Sequence, residues 1–167
     1  MAFKNFRMRQ DAESWFSNIR DQKPIKTKFD LYYFCLMVGL ATGRRSEPTK
    51  RCSEVTDFTD NFVSDYKPYQ RLIIGLLIRA ELSRSGISVT EKDEVRKLFV
   101  DLVNPQNPTN LTDAGMDRLN EYSSGGYDYL AEKLDSRPYH VEEFLRTYAK
   151  LLRGAIEQNP TWQEPVP

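Results

Sequence analysis

The sequence predicts an all-α protein, folded as a single compact domain of six to seven helices. Three observations lead to this fold class. Apolar residues recur at three- and four-residue spacing along most of the chain, which is the period of an amphipathic helix. Pro, Gly or helix-capping residues mark the boundaries between these segments. No stretch alternates apolar and polar residues over a convincing length, and only 87–89 resembles a token strand.

The first two helices are predicted before residue 43. Residues 8–20 form the first helix, which ends before Pro24. A second helix is predicted over 28–42, because Thr27 and Asp30 have the spacing of a capping box. This second segment is apolar nearly all round, as is typical of a central buried helix.

One glycine lies inside this helix, a second lies at its end, and a long polar segment comes after it. Gly39 would let another helix approach closely, and Gly43 is a typical residue to end the helix. Residues 44–66 are predicted to be a polar loop, and structureless loops of this length are usually functional or mobile. Three aromatic residues at four-residue spacing predict a short helical turn that pins the loop to the core: Phe58, Phe62 and Tyr66.

The third and fourth helices have clear start signals. The third is predicted over 67–84, with Pro68 near its first position and Gly86 after its end. The fourth is predicted over 90–103, where Thr90 opens a second segment that resembles a capping box. Its apolar residues recur at three- and four-residue spacing, so one face of this helix is expected to pack on the core.

The last third of the chain is predicted to hold three helices. A turn-rich linker over 104–110 precedes a fifth helix that starts near Thr112. The small residues 123–126 are predicted to break this helix, and a short sixth helix follows. The seventh begins after Pro138 and runs to about residue 157.

These elements place residues 1–158 in one helical domain and 159–167 in an extended tail that contains three Pro. Trp162 in this tail either folds back on its own domain or docks on another chain, so it is a candidate partner-binding residue. No signal peptide is recognised, and the longest apolar stretch, 29–41, is too short to span a bilayer. We therefore expect a cytoplasmic protein with no membrane partner.

The charge of the chain is zero in total but unevenly divided. With 24 basic and 24 acidic side chains, the whole chain is not a polycation that coats DNA. Residues 1–51 carry a net charge of +6 and residues 52–167 a net charge of −6. The two parts either pair with each other or leave a basic surface for nucleic acid. The candidate phosphate contacts lie just after the second helix: Arg44, Arg45, Lys50 and Arg51.

Residues with catalytic or metal-binding chemistry are few. Two Cys and one His cannot supply a disulfide framework or a usual structural zinc site. Cys35 lies in the most apolar helix, whereas Cys52 follows two cations that would lower the pKa of its thiol. His140 lies near the start of the last helix. An enzyme that uses Cys52 or His140 is one alternative, but the sequence favours a non-enzymatic protein without a cofactor.

One segment carries a family resemblance. The apolar helix from Lys28–Tyr32 through Gly39–Ala41, with the Gly-Arg-rich turn Gly43–Arg45, resembles small helical accessory proteins encoded beside bacterial DNA sulfur-modification (Dnd-type) and related phage-defence genes. The resemblance covers roughly 20 of the 167 residues and contains no catalytic motif. It implies an accessory subunit that acts through protein partners, close to DNA, in a defence system. The alternative is a stand-alone regulator or inhibitor that binds a single protein partner.

Overall fold

The computed structural model describes residues 4–51 and 54–163. Within them the chain is a mostly helical single domain with one small antiparallel sheet, so the prediction of a strictly all-α fold is corrected by two strands. Two short 3₁₀ turns, Lys67–Tyr69 and Pro160–Trp162, complete the structure. The elements in chain order are β1 (Phe6–Arg9), α1 (Gln10–Trp15), α2 (Lys28–Thr42), α3 (Pro48–Arg51), β2 (Val55–Thr59), α4 (Gln70–Arg84), α5 (Lys92–Leu102), α6 (Asp113–Lys133) and α7 (Val141–Gln158).

The sheet replaces parts of the predicted first helix and of the predicted 44–66 loop. β1 and β2 pair in antiparallel register, with Met8 opposite Thr56. Met8 and Phe6 point into the core, but a strand of four residues is too short for its alternation to be recognised in the sequence. The first helix is accordingly shorter than predicted, and the polar loop contains α3 and β2. Pairing between segments about 50 residues apart in the chain decides this structure, rather than local preference.

The three aromatic residues of the predicted helical turn do reach the core, but not as one turn. Phe58 belongs to β2, whereas Phe62 and Tyr66 follow it. The Phe62 ring packs edge-on against Phe6 with centroids 5.0 Å apart, and the Tyr66 ring lies 4.7 Å from that of Phe29. These contacts tie the segment between β2 and α4 to the start of α2 and to the sheet.

Helix α2 has the predicted bounds, and its caps explain them. The Asp30 carboxylate accepts hydrogen bonds from the backbone N–H of Thr27 at 3.0 Å and of Lys26 at 2.8 Å. At the other end Gly43 has a φ of 72°, a left-handed conformation that favours glycine. Both signals act within a few residues of the helix, so they could be recognised in the sequence.

Helix α6 is continuous, which corrects the predicted break at 123–126 and the separate sixth helix. The small residues of this segment are buried where α6 crosses α2. A Cβ atom on Gly126 would lie 1.7 Å from the Cys35 carbonyl oxygen, and one on Gly39 would lie 1.9 Å from that of Tyr122. The two backbones are therefore in direct contact, which confirms the predicted close approach at Gly39. The small side chains permit this contact instead of interrupting the helix.

The remaining helices match their predicted positions within two or three residues. Gly86 has a φ of 68° just after α4. The Thr112 hydroxyl accepts a hydrogen bond from the Gly115 N–H at 3.0 Å, and so caps the start of α6. Helix α7 lies against α2 through a buried face that contains Phe144 and Tyr148, and the Tyr148 hydroxyl donates a hydrogen bond to the Phe34 carbonyl oxygen at 2.8 Å.

Candidate interaction surfaces

Two of the four cations predicted to contact phosphates form ion pairs with carboxylates of other helices. Arg44 donates two hydrogen bonds of 2.6 Å to the Glu132 carboxylate, an arrangement that raises the pKa of the guanidinium and lowers that of the carboxyl group. Arg45 lies 2.9 Å from the buried Glu81 carboxylate and 3.2 Å from that of Glu121. These contacts link the turn after α2 to α4 and α6. The Arg44–Glu132 pair lies at the surface, with 60% of the Glu132 side chain exposed, whereas the carboxylate partners of Arg45 are largely buried.

The other two predicted cations are on the surface of the short helix α3. The Lys50 ammonium lies 3.0 Å from Glu47, and the side chain is 78% exposed. Arg51 is 60% exposed and lies 3.9 Å from the Asp128 carboxylate. The structure therefore places Arg44 and Arg45 in ion pairs that join helices, and leaves the Lys50 and Arg51 side chains more exposed.

The same internal pairing extends over the whole basic first third. Of its eleven cations, all but Lys23 lie within 4.0 Å of a carboxylate in the described residues. Seven of them reach carboxylates in the acidic remainder of the chain, so the +6 and −6 parts are joined across the fold. The ion pairs between the two parts of the chain are Lys4–Asp117, Arg7–Asp57, Arg9–Asp128, Lys26–Asp65, Arg44–Glu132, Arg45–Glu81, Arg45–Glu121 and Arg51–Asp128.

Arg9 is the most buried of these cations, with 6% of its surface exposed. It lies 2.6 Å from Asp11 and 2.7 Å from Asp128, and its guanidinium stacks 4.9 Å from the centre of the Tyr127 ring. The carboxylates raise the pKa of Arg9 against the opposing effect of burial, which by itself lowers it. Arg9 Nη1 also donates a hydrogen bond of 3.2 Å to the Ser124 hydroxyl oxygen. The adjoining cavity has a volume of about 10 Å³, so this polar cluster joins β1 to α6 and has no room for a substrate.

The two cysteines and the histidine lie in different environments. Cys35 is buried in α2, and burial raises the pKa of its thiol well above the ordinary value. Cys52 lies outside the described residues. His140 is exposed at the start of α7 and lines an open cavity of about 440 Å³ together with Arg137 and Glu143.

The tail residue Trp162 packs against its own domain. Its indole Nε1 donates to the carbonyl oxygens of Leu40 and Ala41, each at 3.2 Å. The Asn159 side-chain amide donates to the same Ala41 oxygen at 2.8 Å. These oxygens belong to the last turn of α2, where carbonyl groups lack partners inside the helix. Asn159 and Trp162 therefore cap the C-terminal end of the central helix.

Helix α5 is the least covered helix of eight residues or more. Only Leu102 among its eleven residues is buried, whereas 45% of Phe99 and 65% of Val100 is exposed. Two further large apolar side chains are exposed at the start of α4: 52% of Tyr69 and 57% of Leu72. Exposed apolar side chains of this size are where a protein partner gains binding energy on burial.

A line of cations on α7 was missed by the sequence reasoning. Arg146, Lys150 and Arg153 are all exposed, and none lies within 4.0 Å of a carboxylate in residues 4–51 or 54–163. Their spacing of four and three residues places them on one side of the helix, and this spacing could have been recognised in the sequence. We name these three residues the α7 basic stripe.

Among the residues that the structure describes, no three His, Cys, Asp or Glu side chains come together as a metal-binding group. None of the described helices is both long and apolar enough to cross a membrane. Comparison of the chain with family models, with curated proteins and with solved structures finds no match to any of the three.

Proposed function

We propose that this protein is a non-enzymatic accessory subunit that binds a protein partner in a bacterial DNA-modification or phage-defence system. The observation that carries the proposal is the incomplete burial of α5, where Phe99 and Val100, consecutive residues about 100° apart around the helix axis, are both exposed. The resemblance of the α2 segment to accessory proteins of such systems supplies the kind of system.

The energetics of α5 favour a partner that covers it. Complete burial of a Phe or Val side chain contributes about 1.5–3 kcal/mol. Because roughly half of each side chain remains exposed, covering Phe99 and Val100 makes about 1 kcal/mol available from each. Two such contacts change a dissociation constant by more than tenfold. The ion pairs of Arg44 and Arg45 support the same conclusion, because these cations already have partners within the domain.

The proposal is tested by purifying the tagged protein from its native cells and identifying what co-purifies. We expect a subunit of a DNA-modification or restriction enzyme. The affinity of the purified pair is then measured for the double variant Phe99→Ser, Val100→Ser by biolayer interferometry. The dissociation constant is expected to rise tenfold or more, and phage resistance of cells that carry the variant is expected to fall.

The matched control is the double variant Tyr139→Ser, Ile156→Ser, which removes exposed apolar side chains from another part of the surface. It should bind the partner as the unchanged protein does. Equal effects of the two double variants, or full binding by the α5 variant, would contradict a docking surface on α5. A partner whose own activity is simply blocked on binding would identify the protein as an inhibitor instead of a subunit.

A further inference from the structure

We infer that the α7 basic stripe contacts the phosphodiester backbone of duplex nucleic acid. This surface differs from the cations at 44–51 that the sequence indicates, and it does not depend on the protein partner of α5. Arg44 and Arg45 have carboxylate partners within the domain, whereas Arg146, Lys150 and Arg153 have no carboxylate within 4.0 Å in the described chain.

The geometry of the stripe is set by the helix. With a rise of about 1.5 Å and a turn of about 100° per residue, Lys150 and Arg153 lie about 6 Å and 10.5 Å along the axis from Arg146. The same turn keeps the three Cα positions within about 60° of one another around the axis. The opposite face of α7 is fixed against α2 through Phe144 and Tyr148, so the stripe points away from the core. A rigid helix therefore presents three long cations in a row.

Three cations occupy the middle of the exposed side of α7, and acidic residues bound them at both ends. Residues 144–156 contain no Asp or Glu, so the three cations give this segment a net charge of +3. Glu142 and Glu143 lie one turn before Arg146, and Glu157 lies one turn after Arg153, on the same side of the helix as the stripe. Ala149 beside the stripe is also exposed and short, so it leaves a partner's surface free to approach the helix.

A phosphate backbone matches this arrangement better than a protein surface does. One strand of duplex DNA carries a negative charge about every 3.4 Å along the axis, so about three phosphates fall within the 10.5 Å of the stripe. The core of a protein interface is instead apolar and depleted of charged residues. The centre of this face is charged, and its cations are long and exposed, as is typical of contacts to phosphates.

The inference is tested with the full chain and a fluorescently labelled 20-base-pair duplex, by anisotropy at several salt concentrations. Each phosphate contact contributes about −0.9 to the slope of log K against log salt. Three contacts predict a slope near −2.7, and therefore an affinity about 40-fold lower at 200 mM than at 50 mM salt. The variant with Arg146→Gln, Lys150→Gln and Arg153→Gln should bind at least tenfold more weakly at 50 mM salt, with a slope near zero.

The matched control replaces Lys67, Arg71 and Arg96 by Gln, three exposed cations that likewise have no carboxylate within 4.0 Å in the described residues. It removes the same charge and should change the affinity less than threefold. Circular dichroism melting establishes that both variants are folded. An equal loss in the two variants, a slope near zero for the unchanged protein, or equal or tighter binding to polyglutamate than to the duplex would overturn the inference. Loss of the α5 partner would leave these results unchanged.

Discussion

Among the glycines of α4, α6 and α7, Gly126 is expected to be the one whose replacement by Ala lowers the stability of the fold most. The added Cβ would lie 1.7 Å from the Cys35 carbonyl oxygen and 2.7 Å from the Gly39 nitrogen. Both are backbone atoms of α2, so no side-chain rotation can relieve the clash. Ordinary contact requires more than 3 Å, and α2 and α6 would have to separate by over 1 Å.

The magnitude follows from the size of this interface. A gap of 0.5–1 Å forfeits about a quarter to a half of each dispersion contact along it. The α2–α6 contact is the most extensive between any two elements and includes buried residues such as Tyr32, Leu36, Leu119 and Tyr122. Overpacking of a core usually costs about 1–3 kcal/mol, and we expect Gly126→Ala to lower the free energy of unfolding by about 3 kcal/mol or more.

The assay is urea denaturation followed by circular dichroism at equilibrium, with Gly75→Ala as the matched control. Gly75 lies within α4 and has no atom within 4 Å of its would-be Cβ. Because Ala favours a helix over Gly by about 1 kcal/mol, this control should be slightly more stable than the unchanged protein. A Gly126→Ala protein within 1 kcal/mol of the unchanged protein would show that the backbones of α2 and α6 are not in contact.

Three further predictions concern the tail, a buried ion pair and the buried thiol. Trp162→Phe removes the indole donor from the end of α2 and should lower the free energy of unfolding by about 1–2 kcal/mol in urea denaturation. Glu81→Ala removes the more buried of the two carboxylate partners of Arg45 and leaves Glu121, so it should lower the free energy of unfolding by about 2 kcal/mol, measured in the same way. In a Cys52→Ser protein, the raised pKa keeps the buried Cys35 thiol protonated, so Ellman's reagent at pH 8 should react only after urea is added. Because the unfolded thiol ionises more readily, stability from this group is present below about pH 8.5 and declines above it.

Each of these predictions has a control and a contrary result. Two variants at exposed positions serve as controls: Tyr139→Phe removes an aromatic hydrogen-bond donor and Glu157→Ala a carboxylate. Each should alter the free energy of unfolding by less than about 0.5 kcal/mol. A Trp162→Phe protein as stable as the Tyr139→Phe protein would mean that the tail does not cap α2. A Glu81→Ala effect no larger than that of Glu157→Ala would show that the Arg45–Glu81 ion pair does not stabilise the fold. Rapid reaction of native Cys35 at pH 8 would show that α2 is open to solvent.

The positions of α2, α4, α5 and α7 and the start of α6 were predictable because their signals are local. The bounds of α2 rest on Asp30 and Gly43, and the start of α6 rests on the Thr112 hydroxyl. Each of these groups acts on backbone atoms no more than four residues away. The apolar spacing of α4 and α7 is also contained in a single segment, so the mostly helical class follows from the sequence.

The strands, the continuity of α6 and the small residues at its centre depend on distant parts of the chain. β1 forms because β2 supplies its hydrogen-bond partners, and neither strand is long enough to be recognised without the other. Residues 123–126 have the composition of a helix break in isolation. They stay helical because α2 packs directly on them, and this packing compensates for the weak helix preference of Gly and Ser.

For the charged surfaces too, the sequence determines one part and the tertiary structure another. The sequence determines that the first third is basic and the remainder acidic, and it places four cations just after α2. Only the tertiary structure decides which cations are left for a ligand, because an ion pair depends on which carboxylate the fold brings within 4 Å. It pairs Arg44 and Arg45 with carboxylates of α4 and α6, and leaves the cations of α7 exposed on a helix whose other face is buried. The basic surface offered to a partner thus belongs to the part of the chain that is acidic in sum.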